Sequence, residues 1–389
     1  MVVIGKHVLA VSASLFAVVL LQANTVSAQA AASANLEERT LTVSDQEAEE
    51  RGYARIHLDL GEDFKLYFLA KAKSLTTTLA TIDAIAPPDR AELAKVFVPN
   101  NRDIFELTVV AFRPGFAAEA PAVSEQVLME ESYGITDTNH ASLTSADANG
   151  QTLHESKIVK HARSLCQTRG EAVVCFFMQG DAGQAAAFDE QAGMLAQSLT
   201  FEDGSEQGFA AEQITRLDLA LGDKGTLRLA FPSAFSVAAN HFSGTLPGTL
   251  QLQQDSADNS SSVIMLSASA GAAPPSAEAI DSAADKIVSG WLDENAALFA
   301  NPTLASKGDL SGLKAGDLGR TYAYVVDKQV GGGQAQIRLS MFASSGVRYS
   351  VLMVTHYSSE VDETGPFFVR LGGVTGYDLV MQSILSQLR

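Results

Sequence analysis

Few residues in this chain are spaced as chemistry requires, and the two cysteines come first. Cys166 and Cys175 flank the turn-like run Gln167-Thr168-Arg169-Gly170-Glu171. Strands meeting at that turn bring the two Cβ atoms together, and in an oxidising compartment the expected product is a structural disulfide closing a short loop. A redox pair or a metal site needs C-x-x-C spacing or added histidines. Ser311-Gly312-Leu313-Lys314 fits the S-x-x-K pattern of serine acyl-enzymes, which requires the lysine one helical turn beyond the serine. The surrounding glycines oppose a helix there, and no partner motif accompanies it.

Histidines and acids give weaker patterns. His154 and His161 are an odd number of residues apart, so on one strand they face opposite sides and do not share a metal. His57, His140, His241 and His356 are isolated. Ser145-Ala-Asp147-Ala-Asn149-Gly150 approaches a calcium loop, but position 1 is Ser145 and position 12 is Ser156, with Glu155 one short. Its plainer reading is an Asn-Gly turn before a strand; Asp255, Asp258 and Asn259 likewise read as a polar loop. Leu371-Gly-Gly-Val-Thr-Gly376 has no Rossmann-type strand before it. Phe176, Phe177, Tyr322, Tyr324, Tyr349 and Tyr357 fall on predicted strands, where sheet core beneath a helix is the expected role. No catalytic, cofactor or metal site is assigned.

The elements that position these residues follow an export signal. Lys6, the apolar run Val8–Leu21 and the small residues Val26-Ser27-Ala28 predict a signal peptide over 1–28, cleaved near Ala28. Its apolar run is shorter than the roughly 20 residues of a membrane span, and no later segment predicts one. The 389 residues carry 27 Lys+Arg against 45 Asp+Glu, a formal charge of −18. Loss of the signal removes one lysine more. That excess of acid argues against nucleic acid as a partner, whose phosphates need clustered Lys and Arg, and disfavours anionic lipid. With 46% hydrophobic and 19% charged residues the chain is globular, not disordered. The expected compartment is the bacterial periplasm or the exterior. The helical pattern at the C-terminal end argues against an outer-membrane barrel.

Internal similarity organises the rest. Arg55–Leu66 aligns without gaps on Arg216–Leu227: Arg55 with Arg216, Leu58 with Leu219, Leu60 with Leu221, Gly61 with Gly222 and Leu66 with Leu227. Both stretches read as hairpins turning at a Gly-acid pair. A strand follows each (Phe105–Phe112 and Ser262–Ala268), then a helix (Pro121 to about Tyr133, and a helix opened by Pro274-Pro275 with Ile280, Ala284, Ile287 and Trp291 as its stripe). Further strands are expected at 157–166 and 172–179 in the first half, and at 320–327, 335–342 and 349–356 in the second. A closing helix carries Phe188, Ala192, Leu195 and Leu199 in one half, and Tyr377, Val380, Ile384 and Leu388 in the other. The turns of the second half fall at 331–333 and 344–346. An inserted helical stretch, Ser74–Phe97, is expected to break at Pro87-Pro88. The predicted organisation is a lead-in at 29–50, one module at 51–202, a linker at 203–212 and a second module at 213–389. The fold class is α+β: two related modules, each a mainly antiparallel sheet with helices packed on one side.

Phe231-Pro232-Ser233-Ala234-Phe235 after the second hairpin, Trp291 on the next helix and the terminal Gln382-Ser383-Ile384-Leu385 helix resemble PsbP-like modules. The first half has Leu69-Ala70 where the Phe-Pro opening belongs. These α+β domains occur in bacterial periplasmic proteins and in an extrinsic subunit of plant photosystem II. The resemblance implies a binding or assembly module with no shared catalytic residues and no cofactor. The resulting expectation is an exported, non-enzymatic binding or assembly protein whose partner, protein or small molecule, is not specified. The alternative is a periplasmic hydrolase with a site formed only in three dimensions.

Overall fold

The computed structural model describes residues 44–61, 64–71, 74–77, 81–100, 103–131, 133–154, 157–202, 208–255, 261–271, 276–314, 317–330, 334–356 and 364–388. The predicted signal, most of the lead-in and linker residues 203–207 lie outside them, as do Glu155, Ser156, Asp258, Asn259 and Tyr357.

In chain order the elements are α1 (Asp45–Glu50), β1 (Ala54–Asp59), β2 (Lys65–Ala70), β3 (Ser74–Thr77), β4 (Asp89–Asn100), β5 (Asp103–Arg113), α2 (Ala120–Glu130), β6 (Gly134–Ser142), β7 (Ser145–His154), β8 (Lys157–Gly170), β9 (Ala172–Asp181), α3 (Ala185–Ser198), β10 (Thr200–Phe201) and β11 (Gly208–Phe209). They continue with β12 (Ile214–Ala220), β13 (Thr226–Pro232), β14 (Ser236–Asn240), β15 (Gly248–Asp255), β16 (Ser261–Ala270), α4 (Ala277–Glu294), β17 (Phe299–Asp309), β18 (Gly319–Lys328), β19 (Gln334–Ser344), β20 (Val347–His356) and α5 (Thr364–Leu388). Mainly antiparallel sheets with a few helices make this an α+β fold.

Two large sheets dominate. The first runs β3-β4-β5-β9-β8-β7-β6, and the second β14-β15-β16-β20-β19-β18-β17. The order is the same, with α2 and α4 each inserted after the third strand of its sheet. The hairpins also correspond: β1–β2 and β12–β13 bury Leu58, Leu60 and Leu66 in one and Leu219, Leu221 and Leu227 in the other. The aligned leucines of the two halves therefore do the same work, filling the space between hairpin and sheet.

Helices lie on both faces of the first sheet, not on one. β9 explains why. Val174, Phe176 and Met178 join the core under α3 and the β1–β2 hairpin, while Val173, Cys175 and Phe177 join the core under α2. Its sequence, Ala-Val-Val-Cys-Phe-Phe-Met, is apolar without alternation because both pleats are covered. The second sheet repeats this, with Val351 and Met353 on one side and Leu352 and Val354, under α4, on the other.

Two further expectations are overturned. Ser74–Phe97 is not helical: it holds β3, a short 3-10 turn at Ile82–Ala84 and the start of β4. A register shift between Glu92 and Ala94 interrupts the alternation of Leu93, Val96 and Val98, which is why period two was hidden. Asn149-Gly150 is not a turn but mid-strand in β7. A Cβ on Gly150 would lie 2.9 Å from Tyr133 Cβ, so the glycine admits the residues that end α2.

α5 joins the two cores. Tyr377, Val380, Met381, Ile384 and Leu388 pack under the second sheet, as the spacing predicts, while Phe368 and Leu371 pack with α2 in the first. Gly373 and Gly376 let it approach: added Cβ atoms would sit 2.5 Å from Thr355 Oγ1 and 2.8 Å from the Phe235 ring. Helical glycine costs about 1 kcal/mol, here offset by close packing on β16 and β20. No helix among the described residues is long and apolar enough to cross a membrane.

Candidate functional site

The sequence-predicted cysteine site forms. Cys166 and Cys175 are directly opposite in the β8–β9 register, Cα atoms 4.1 Å apart, and are bonded. The strands run on past the predicted turn to Arg169 and Ala172, leaving only Gly170 and Glu171 to reverse the chain. Both cysteines are fully buried beneath α2. The bond is a staple, remote from solvent.

The other sequence candidates do not converge. Ser311 is exposed on the loop after β17 and Lys314 is exposed too, neither on a helix, which removes the serine acyl-enzyme variant. Asp147 of the calcium-like run is buried and binds Arg163 through two oxygens, and Arg163 Nη1 donates to Asp189 at 2.6 Å. Tyr322 and Tyr324 lie beneath α4, donating to Asp281 at 2.6 Å and Asp285 at 3.4 Å. Burial pushes the Tyr324 hydroxyl up to about 12. His57 stacks on Tyr67 at 4.4 Å. Among the described residues no three His, Cys, Asp or Glu side chains are grouped to hold a metal.

A constellation that sequence reasoning missed lies where α2, the β6–β7 turn, β18, β19 and α5 meet. These elements enclose a cleft of about 530 Å³. Its buried members are Glu119, Pro121, Ser340, Tyr377 and Met381, while Ser311, Gln382 and Ser386 are exposed at its rim. Pro121 is the second residue of α2, in the first turn, where a missing N–H costs nothing. Glu119 is the residue before that helix, yet its side chain makes no cap hydrogen bond. Its main-chain N–H donates instead to Thr375 Oγ1 of α5 at 3.0 Å, fixing the helix start against α5.

Glu119 is only 1% exposed, and its Oε2 has no hydrogen-bond partner. Burial raises its pKa well above the usual carboxylate value, and the neighbouring Asp378 carboxylate raises it further. Arg338 opposes this weakly, because its Nη1 already lies 3.8 Å from Asp378 Oδ2. Tyr377, beside Asp378, donates to Ser340 Oγ at 2.7 Å, and burial pushes its hydroxyl up to about 12. The cleft floor thus offers a carboxyl that burial holds towards its neutral form, a second carboxyl beside it, and the hydroxyls of Tyr377 and Ser340. Such a set binds and exchanges protons.

No family model and no curated protein sequence matches the chain. Among solved structures, the Ran-binding protein Mog1p of Saccharomyces cerevisiae is similar over 44% of this chain and 94% of its own, at 10% identity and a TM-score of 0.29. The immunity protein TplEi of the Pseudomonas aeruginosa T6SS covers 85% of this chain and 97% of its own, at 8% identity and a TM-score of 0.21. Likeness at this level supports no assignment of fold or function.

Proposed function

We propose that this chain is an exported, non-enzymatic binding module made of two related α+β halves, 51–202 and 213–389, that takes a small ligand in the cleft above Glu119. The repeated strand order and the aligned hairpins support the relation between the halves. They fit the PsbP-like resemblance of the second half. The predicted signal and the disulfide support export to the periplasm or beyond. One observation carries the binding reading: a wholly buried carboxyl oxygen at the cleft floor without an internal partner. Buried polar groups are nearly always satisfied, and an orphan at a cleft is satisfied from outside.

The test is a thermal-shift screen of small metabolites on the wild-type chain and on Ser311→Trp, which fills the rim. A cleft ligand at 100 times its dissociation constant stabilises by about 2.7 kcal/mol, and the indole should abolish that gain. A screen without hits, or hits indifferent to Ser311→Trp, would refute the reading. The hydrolase alternative is favoured by one observation, the two neighbouring acids Glu119 and Asp378 in one cleft. Turnover of an ester, glycoside or peptide substrate that is lost in Glu119→Gln would establish it in place of the binding reading.

A further inference from the structure

The surroundings of Glu119 specify the charge of its ligand. Asp378 on α5 and Arg338 on β19 face each other at 3.8 Å, so that guanidinium is already matched by one carboxylate. Glu125, one helical turn and more along α2, adds negative charge. The cation that acts on Glu119 most strongly is Arg338 itself. An ionised Glu119 would therefore be a net excess negative charge in a buried position. The cleft adds the hydroxyls of Tyr377, Ser340 and Thr321, and its walls are apolar at Leu143, Leu310, Met381 and Leu385.

We propose that the cleft binds a primary ammonium group on a short aliphatic stem, seated against the orphan Oε2 of Glu119 and the Asp378 carboxylate. The proposal rests on the cleft being the ligand site and names its chemistry. An ammonium has three donors and no acceptor. It satisfies the orphan Oε2, the Asp378 carboxylate and one hydroxyl, while its stem covers the leucine and methionine walls. An alcohol supplies one donor and leaves the acid protonated. A carboxylate adds a third negative charge. Where Glu119 holds its proton, binding leaves ionised Glu119 paired with R–NH3+ and that proton leaves to solvent, so charge and atoms balance. Burial and the Asp378 repulsion favour the neutral form of Glu119 and so keep a proton there to be released.

Two sources carry this chemistry, a free alkylamine and a lysine side chain, and separate arms distinguish them. Titration calorimetry of the purified chain would use hexylamine, Nα-acetyl-lysine methylamide, hexanol and hexanoate. Each would run at pH 5.5, 6.5 and 7.5 in paired buffers of low and high protonation enthalpy. Hexylamine, the lysine amide or both should bind with release of close to one proton at pH 5.5. Affinity should rise up to about tenfold per pH unit while the acid pair remains protonated. Glu119→Gln and Asp378→Asn should each weaken binding about tenfold or more, and Glu119→Gln should abolish proton release. Hexanol or hexanoate binding as tightly, sensitive to Ser311→Trp, would overturn the ammonium while leaving the cleft as the ligand site. Amine binding that no substitution affects would overturn it as well. Failure of all four probes would overturn it too, and the metabolite screen then decides the fate of the binding reading separately.

Discussion

Replacing Glu119 by Gln tests the central electrostatic claim without any ligand. The folded pKa of Glu119 is raised, by burial first and by Asp378 second, while in the unfolded chain the group is an ordinary carboxylic acid with a pKa of about 4.3. The folded state thus holds the proton more tightly. That contribution is fully present below the unfolded pKa and is lost as pH rises towards the folded one, at about 1.4 kcal/mol per pH unit. Glu119 is fully buried, so solvent screening does not reduce the slope. Gln is isosteric and cannot ionise, and its amide offers the neighbouring Asp378 a donor. As pH rises from the unfolded pKa towards the raised folded one, Glu119→Gln should gain on wild type by up to about 1.4 kcal/mol per pH unit. Urea unfolding at half-unit pH steps measures it, with equal m-values as the check that the unfolded states match. A difference between the two proteins that stays constant across the range would mean that Glu119 ionises normally when folded, and would refute the raised pKa. Asp378→Asn should shallow the pH dependence without abolishing it, since burial is the larger cause.

Removing the staple as Cys166→Ala/Cys175→Ala should cost about 2.5 kcal/mol by the loop-closure relation for a separation of 9 residues, read from urea midpoints; native thiol labelling should find neither cysteine. Arg163→Met leaves the buried Asp147 carboxylate unpaired and should cost about 3–5 kcal/mol, much of it recovered by adding Asp147→Leu; an effect below 1 kcal/mol would mean water already serves Asp147. One substitution should have opposite signs on two helices. Gly376→Ala pushes a Cβ to 2.8 Å from the Phe235 ring and 2.9 Å from Ile264 Cδ1 and should lose about 1–3 kcal/mol. Gly290→Ala on α4 meets nothing within 4 Å and should gain about 0.5–1 kcal/mol.

Elements with unbroken periodicity were legible from sequence. The hairpin leucines, the Phe188-Ala192-Leu195 face of α3 and the Tyr377-Val380-Ile384 face of α5 all bury as their spacing requires. The Ser345-Gly346 turn, both residues at positive φ, joins β19 to β20 as its composition implies. On α4 the buried stripe is Ile280, Ala284, Val288 and Leu292, with Ile287 and Trp291 at its edge, so the predicted face was rotated slightly. β17 went unseen because nearly every residue from Ala300 to Asp309 faces solvent and no alternation marks it. The cleft went unseen for a different reason: its two acids are brought together only by tertiary packing. A signal was nonetheless present. Glu119 is the sole charge between Arg113 and Glu125, and Asp378 the sole charge between Arg370 and Arg389. An acid isolated in apolar sequence is a candidate for burial, as Glu119 is, while Asp378 is half-buried; a buried acid needs a reason.

The repeated strand order supplies that reason through a comparison internal to the chain. α2 and α4 each follow the third strand of their sheet, so Glu119 and Ser276 stand at corresponding helix starts. Ser276 does what the position asks: its hydroxyl accepts from the Ala279 N–H at 3.3 Å. Glu119 caps nothing, is buried without a partner for Oε2, and lies against a second acid. Each of these features lowers stability, and local cost concentrated at one cleft is the mark of a site shaped for something other than folding. Glu119→Ser should therefore stabilise the chain at pH 7, by about 1 kcal/mol from a restored cap and by more from removal of the buried acid, while abolishing amine binding. A Glu119→Ser protein less stable than wild type at pH 7 would show instead that Glu119 serves the fold, and that the cleft carries no cost in need of a functional cause.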